Sequence, residues 1–150
     1  MGNLLILNGS PRAPRSNSRR YAQIFSSCYG ENTEYFDITK RNHPELCAKL
    51  AGASHVLFVF PLYADGLPVT LLNFLKSLEA APPQNKPAVS VLINCGFLEP
   101  QQNEMAVEMM RLFCRQNHYP FGSILKIGSG EAILDSPFRF LAVRKIRRFA

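Results

Sequence analysis

Leu4-Leu5-Ile6-Leu7-Asn8-Gly9-Ser10-Pro11-Arg12-Ala13-Pro14-Arg15-Ser16-Asn17-Ser18 is the stretch on which the reading of this 150-residue chain turns. It starts as an apolar run long enough for a buried strand and breaks into a loop of Gly, Ser, Pro and Arg. A helical pattern follows, in which Tyr21, Ile24, Phe25 and Cys28 recur at three- and four-residue intervals and share one face. Strand, polar loop and helix start together aim free backbone N–H groups and the positive end of a helix dipole at one spot. An anion suits that spot, and a phosphate monoester suits it best. Ser10, Ser16, Asn17 and Ser18 offer short hydrogen-bonding side chains, while Arg12 and Arg15 offer charged, forked donors. A second reading stays open: a strand followed by an Asx/Ser-capped helix, with its arginines solvated at the surface.

The nucleotide loops of fixed spacing do not fit. GxxxxGK[ST] needs a second Gly and a Lys, and neither follows Gly9 at the required offset. GxGxxG fails because Pro11 stands where the second Gly belongs. A pyrophosphate therefore finds no glycine to let the backbone approach it. A single terminal phosphate, held by side chains as well as amides, matches better, and flavin mononucleotide (FMN) carries such a group.

Size and composition set the outer bounds. One domain spanning residues 1–150 is expected, long enough to bury a core. Hydrophobic content of 47% with 19% charged residues argues against disorder. No uncharged run is long and apolar enough to cross a bilayer. Met1-Gly2-Asn3 has no basic residue, and Leu4 to Leu7 is too short for the apolar core of a signal peptide. Gly2 is followed at position 6 by Ile, where a myristoylation motif wants Ser or Thr. A cytoplasmic location without membrane attachment is the default expectation. Cys28, Cys47, Cys95 and Cys114 are widely spread and form no CxxC pair, which excludes a zinc ribbon or clustered iron–sulfur site on spacing. His43, His55 and His118 are equally isolated, so no metal constellation is expected. The net charge of +6 favours anionic ligands. Its arginines gather near the two ends of the chain instead of forming one aromatic-studded stripe, which argues against nucleic acid.

Along the chain, Thr33-Glu34-Tyr35-Phe36-Asp37-Ile38 reads as a second strand with the weak alternation of an edge. Asn42-His43-Pro44-Glu45 opens a short helix running to Leu50, and Gly52 ends it. Val56-Leu57-Phe58-Val59-Phe60, apolar at every position, predicts a central parallel strand covered on both faces. After the loop Pro61-Leu62-Tyr63-Ala64-Asp65-Gly66, Pro68 opens a helix lined by Leu71, Leu75 and Leu78. Residues 88–93 form a further buried strand that ends in the loop Asn94-Cys95-Gly96-Phe97. Residues 101–117 are helical, with Met105, Met109, Leu112, Phe113 and Gln116 on one stripe, read as core. Ser123-Ile124-Leu125-Lys126-Ile127 is a fifth strand, and residues 136–150 read as a basic amphipathic helix.

Strands and helices that alternate in this way imply an α/β fold, a parallel sheet with helices on both faces. In such sheets ligands sit beyond the carboxyl ends of the strands. The loops after the first, third, fourth and fifth strands all lie on that edge.

These residues resemble a known family. Leu7-Asn8-Gly9-Ser10-Pro11-Arg12 with Ser16-Asn17-Ser18 resembles the phosphate loop of flavodoxin-like NAD(P)H-dependent FMN reductases. Pro61 to Pro68 looks like that family's second flavin loop, usually Pro-x-Tyr with a Gly and a Pro shortly after. Gly128-Ser129-Gly130-Glu131-Ala132-Ile133 is similar to a Gly-Gly-Gly-Glu segment of some members. The resemblance implies a flavodoxin-like doubly wound sandwich, a five-stranded parallel sheet of order 2-1-3-4-5. It implies that Ser10, Arg12, Ser16, Asn17 and Ser18 hold the FMN phosphate. Pro61, Leu62, Tyr63 and Gly66 would flank the isoalloxazine, and Asn94, Cys95, Gly96 and Phe97 would close the other side. Tyr63 also reads as a rim tyrosine with its hydroxyl in water, and Phe97 as a core phenylalanine. Only Cys47 lies where some relatives carry an iron–sulfur cysteine cluster, so flavin alone is expected. The chain is short for the family and ends inside a basic helix, compatible with loss of part of the usual C-terminus.

The activity implied is a ping-pong oxidoreduction. Hydride passes from NAD(P)H to FMN and then to a small-molecule acceptor such as a quinone, a nitro or azo compound, or a flavin. The flavin performs the chemistry, no side chain need act as a catalytic residue, and the resemblance suggests a homodimer. Two alternatives share the fold: a flavodoxin-type one-electron carrier, and a flavodoxin-fold binding protein that has lost its cofactor. Carriers of the first kind are typically acidic with a Thr-rich phosphate loop, and this chain has neither feature.

Overall fold

The computed structural model describes residues 3–11, 17–29, 32–61, 67–94, 104–127, 144 and 146–149. In chain order the elements are β1 (Leu4–Asn8), α1 (Asn17–Tyr29), β2 (Thr33–Asp37), α2 (His43–Ala51), β3 (His55–Pro61), α3 (Val69–Ala80), β4 (Ala88–Asn94), α4 (Glu104–Gln116) and β5 (Phe121–Ile127). Every strand pair is parallel, and the sheet order is β2-β1-β3-β4-β5, as the resemblance implied. In β3 all of Val56 to Phe60 is buried, in keeping with its central place between β1 and β4. β2 is an edge strand, only partly buried.

The two-residue period of a strand divides the core into two layers. Leu5, Leu7, Val56, Phe58 and Phe60 pack with α2, α3 and α4, whereas Leu4, Ile6, Leu57 and Val59 pack with α1 and Ile146. Leu71, Leu75 and Leu78 of α3 are buried as their spacing predicts, with Phe74 among them. Of the C-terminal helix expected over residues 136–150, only residues 144 and 146–149 are described. They are helical, Ile146 is fully buried, and Phe149 lies 5.7 Å from the Phe25 ring.

Two expectations need correction. The inner face of α4 is Ala106, Val107, Met110, Phe113 and Cys114, whereas Met105 is 61% exposed and Leu112 48% exposed. Phe113 is shared by the expected stripe and the buried face and Met109 is partly buried, but the inward face is rotated towards Ala106, Val107, Met110 and Cys114. β5 begins at Phe121, two residues before Ser123. The register slips between Val89 and Val91, so that Gly122 and Ser123 together oppose Ser90, a bulge that breaks the alternation. Ser123 N donates to Ser90 Oγ at 3.2 Å, and a Cβ on Gly122 would lie 2.7 Å from that oxygen.

α4 ends in a Schellman turn. His118 adopts φ 62°, Tyr119 N donates to Cys114 O at 2.8 Å, and the Phe113 and Tyr119 rings stack at 5.6 Å. The turn drives Tyr119 into the core, where its hydroxyl is buried without a hydrogen-bond partner. Burial pushes the Tyr119 phenol up to about 12 and the Cys114 thiol up to about 12. Tyr119→Phe is therefore expected to raise unfolding stability at neutral pH by ~1 kcal/mol, read from the urea midpoint. The sign of the pH effect follows. A folded-state pKa above the unfolded value of about 10 gives stability present below pH 10 and lost as pH rises towards 12. The Phe variant should lose less stability over that window, and equal curves for both proteins would refute the assignment.

Candidate functional site

Among the described residues the buried polar side chains are Asn8, Ser10, Ser18 and Asn94, and all four gather at the carboxyl edge of the sheet. An unsatisfied buried polar group is costly, so buried polar side chains are mostly held by hydrogen bonds. Asn8, the last residue of β1, accepts from Ser10 N through Oδ1 at 2.9 Å, which folds the loop back on itself. Its Nδ2 donates to Tyr35 Oη at 2.8 Å and to Asp37 Oδ1 at 3.2 Å. Gly9 N donates to Val59 O at 2.9 Å, so the chain leaves β1 still tied to β3. At Gly9 a Cβ would stand 3.1 Å from Leu71 Cβ, so the glycine allows the loop to lie against α3.

Asn94, the last residue of β4, serves the other half of the edge. Its Nδ2 donates to Ser18 Oγ at 3.1 Å and to Phe60 O at 3.4 Å. One amide thus joins the first turn of α1 to the ends of β3 and β4, where Pro61 sits opposite Asn94 in register. The first turn of α1 has no acidic residue and carries Arg19 and Arg20. Arg20 donates to Asn17 Oδ1 at 3.2 Å; Arg19 pairs with Asp37 at 3.6 Å and lies over the Tyr35 ring at 5.4 Å. The Tyr35 phenol donates to Asp37, and burial followed by that bond holds its pKa well above the usual tyrosine range.

Of the residues singled out from sequence, Ser10, Asn17, Ser18, Pro61 and Asn94 are placed along this edge. Arg12, Ser16, Leu62, Tyr63, Gly66, Cys95, Gly96 and Phe97 lie outside the described residues, as does the 128–133 segment. Tyr35 and Asp37 were not singled out, although Asn8 and Asp37 are register partners at the ends of paired strands. Among the described residues no group of three or more His, Cys, Asp or Glu is placed to hold a metal ion. No described helix is long and apolar enough to cross a membrane.

A doubly wound parallel sheet of order 2-1-3-4-5, with its buried polar residues at the carboxyl edge, defines the flavodoxin-like fold. No family model matches the chain, and no curated protein matches its sequence. Solved structures do match in shape. The Trp repressor binding protein of Bacillus subtilis aligns with a TM-score of 0.79 at 13% identity, over 98% of this chain and 99% of that one. The NAD(P)H:quinone oxidoreductase of Methanothermobacter marburgensis aligns with a TM-score of 0.75 at 16% identity, over 98% of this chain and 93% of its own. An FMN-dependent NADH-azoreductase of Bacillus anthracis, solved in complex with FMN, aligns with a TM-score of 0.73 at 12% identity, over 99% of this chain and 97% of its own.

The edge fits an anionic cofactor tail. The first turn of α1 offers hydroxyl, amide and guanidinium groups and a positive helix dipole, and the nearby Asp37 carboxylate is paired with Arg19.

Proposed function

We propose that this chain is an FMN-dependent NAD(P)H oxidoreductase acting on a small acceptor such as a quinone, a nitro or azo compound, or a flavin. The observation that carries the reading is the gathering of Asn8, Ser10, Ser18 and Asn94, the buried polar side chains among the described residues, at the ligand-bearing edge of this fold. The names of two aligned enzymes, a quinone oxidoreductase and an FMN-dependent azoreductase, support it. FMN, when bound, would supply the redox chemistry that links NAD(P)H to the acceptor.

The protein's part is placement and electrostatics. Ser10, Asn17 and Ser18, with Arg12 and Ser16, hold the terminal phosphate. Pro61 and Asn94 set the start of the two loops that flank the ring, Leu62, Tyr63 and Gly66 on one side and Cys95, Gly96 and Phe97 on the other. Asn94 would hold the two halves of the site together, because its amide ties Ser18 of α1 to Phe60 of β3. Positive charge at α1 offsets the phosphate dianion and favours the approach of a dinucleotide.

The test is an FMN titration followed by flavin fluorescence, and then anaerobic addition of NADPH or NADH while the visible flavin band is recorded. Saturable quenching followed by bleaching is expected. Failure to bind FMN overturns the reading, and a flavin that binds but stays yellow replaces it with a one-electron carrier.

A further inference from the structure

A second concavity adjoins the phosphate loop on the side of β2. It encloses about 260 Å³ and is bordered by Ser10, Thr39, Lys40, His43, Thr70 and Asn73. No carboxylate is among its described lining residues, while Lys40 brings a positive charge. Both α2 and α3 begin at this cleft, and neither has a side-chain cap. At α2 the cap position is Asn42, but its side chain is engaged in its own loop: Oδ1 accepts from Thr39 N at 2.9 Å and Nδ2 donates to Asp37 O at 2.8 Å.

His43 is held for one orientation. Its Nδ1 lies 2.7 Å from Ser77 Oγ, and that hydroxyl donates to Asn73 O at 3.3 Å. With the hydroxyl proton committed to Asn73, Nδ1 donates to Ser77 Oγ, and Nε2 of the neutral ring is an acceptor suited to a ribose hydroxyl. The edge contact with Phe74, centroids 5.4 Å apart, fixes the ring plane. Lys40, the threonine hydroxyls and the start of α3, which has no acidic residue in its first turn, form an anion-binding set, whereas the first turn of α2 carries Glu45. The volume is below that of a site for a whole drug-sized ligand, typically about 300 Å³ and more, so one end of a larger molecule fits it. Val69, 69% exposed on the rim, gives an apolar platform for a base or sugar face.

We propose that this cleft binds a ribose phosphate monoester, the 2′-phosphate end of a dinucleotide, so that the co-substrate is NADPH in preference to NADH. This rests on the oxidoreductase reading above, since Ser10 borders both the cleft and the FMN phosphate loop. Adenosine 2′,5′-bisphosphate, 5′-AMP and inorganic phosphate are titrated calorimetrically into the protein and into Lys40→Glu and Lys40→Arg. The bisphosphate is expected to bind about tenfold or more tighter than 5′-AMP, to lose that margin in Lys40→Glu and to keep most of it in Lys40→Arg. The kcat/KM ratio for NADPH over NADH should fall about tenfold in Lys40→Glu with FMN affinity retained. Equal affinity for bisphosphate and 5′-AMP, binding of inorganic phosphate only, or indifference to Lys40→Glu each overturns the proposal. Loss of FMN binding by the unmodified protein instead overturns the oxidoreductase reading, and the bisphosphate titration reads the cleft separately.

Discussion

Asn94→Leu is expected to lower unfolding stability by about 3 kcal/mol and to weaken FMN binding at least about tenfold. The side chain is 1% exposed, and its amide is the only described link from Ser18 to the ends of β3 and β4. Leucine of similar volume keeps the space filled but leaves Ser18 Oγ without its donor, and a buried polar atom stripped of a partner costs about 1–3 kcal/mol. For a chain of this length about 3 kcal/mol corresponds to a fall of roughly 6–12 °C in Tm. Ser18→Ala removes only the acceptor and should cost about 1 kcal/mol. The double variant should cost less than the sum, since both changes break one bond. Urea midpoints for the four proteins decide it. If Asn94→Leu unfolds at the same urea concentration as the parent, Asn94 does not bind the edge together.

Gly9→Val should be the second large effect, about 2–3 kcal/mol. Leu71 has no exposed surface, and its Cβ sits 3.1 Å from where a first side-chain atom at position 9 would stand. Alanine alone would press on α3, and the two γ-methyls of valine extend further into it. The loop after β1 would then have to lift, carrying Ser10 with it. Leu71→Ala in the same chain opens the space and should restore part of the lost stability, a coupling that a double-mutant cycle measures. Gly52→Ala is the contrasting case. Its φ of −98° suits any residue and the nearest atom is 3.8 Å away, so no penalty is expected. Thermal unfolding of the variants, with FMN titration, checks both statements. Equal Tm for Gly9→Val and the parent would show that α3 yields easily.

What the sequence made legible follows from how each feature is encoded. Val56 to Phe60 and the Leu71, Leu75, Leu78 spacing carry their burial in local pattern, and both were read correctly. Ser10, Ser18 and Asn94 lie together at the carboxyl edge, and polar residues just after a strand or at a helix start are visible along the chain. α4 was read only in part: Phe113 is buried as expected, but the weight given to large side chains passed over Ala106 and Cys114 on its inner face. The roles of Tyr35 and Asp37 depend on strand register, and that of Gly9 on a helix sixty residues later. No window of neighbouring residues contains either.

The doubled residues of β5 have one more consequence. An outer parallel strand is a template on which a foreign chain can add itself, the first step towards sheet-to-sheet clumping. Gly122 and Ser123 crowd two peptide units against Ser90, and Lys126 puts a charge further along, so an incoming strand meets a broken spacing of donors and acceptors. The irregularity that hid the start of this strand therefore also makes it a poorer match for an added strand.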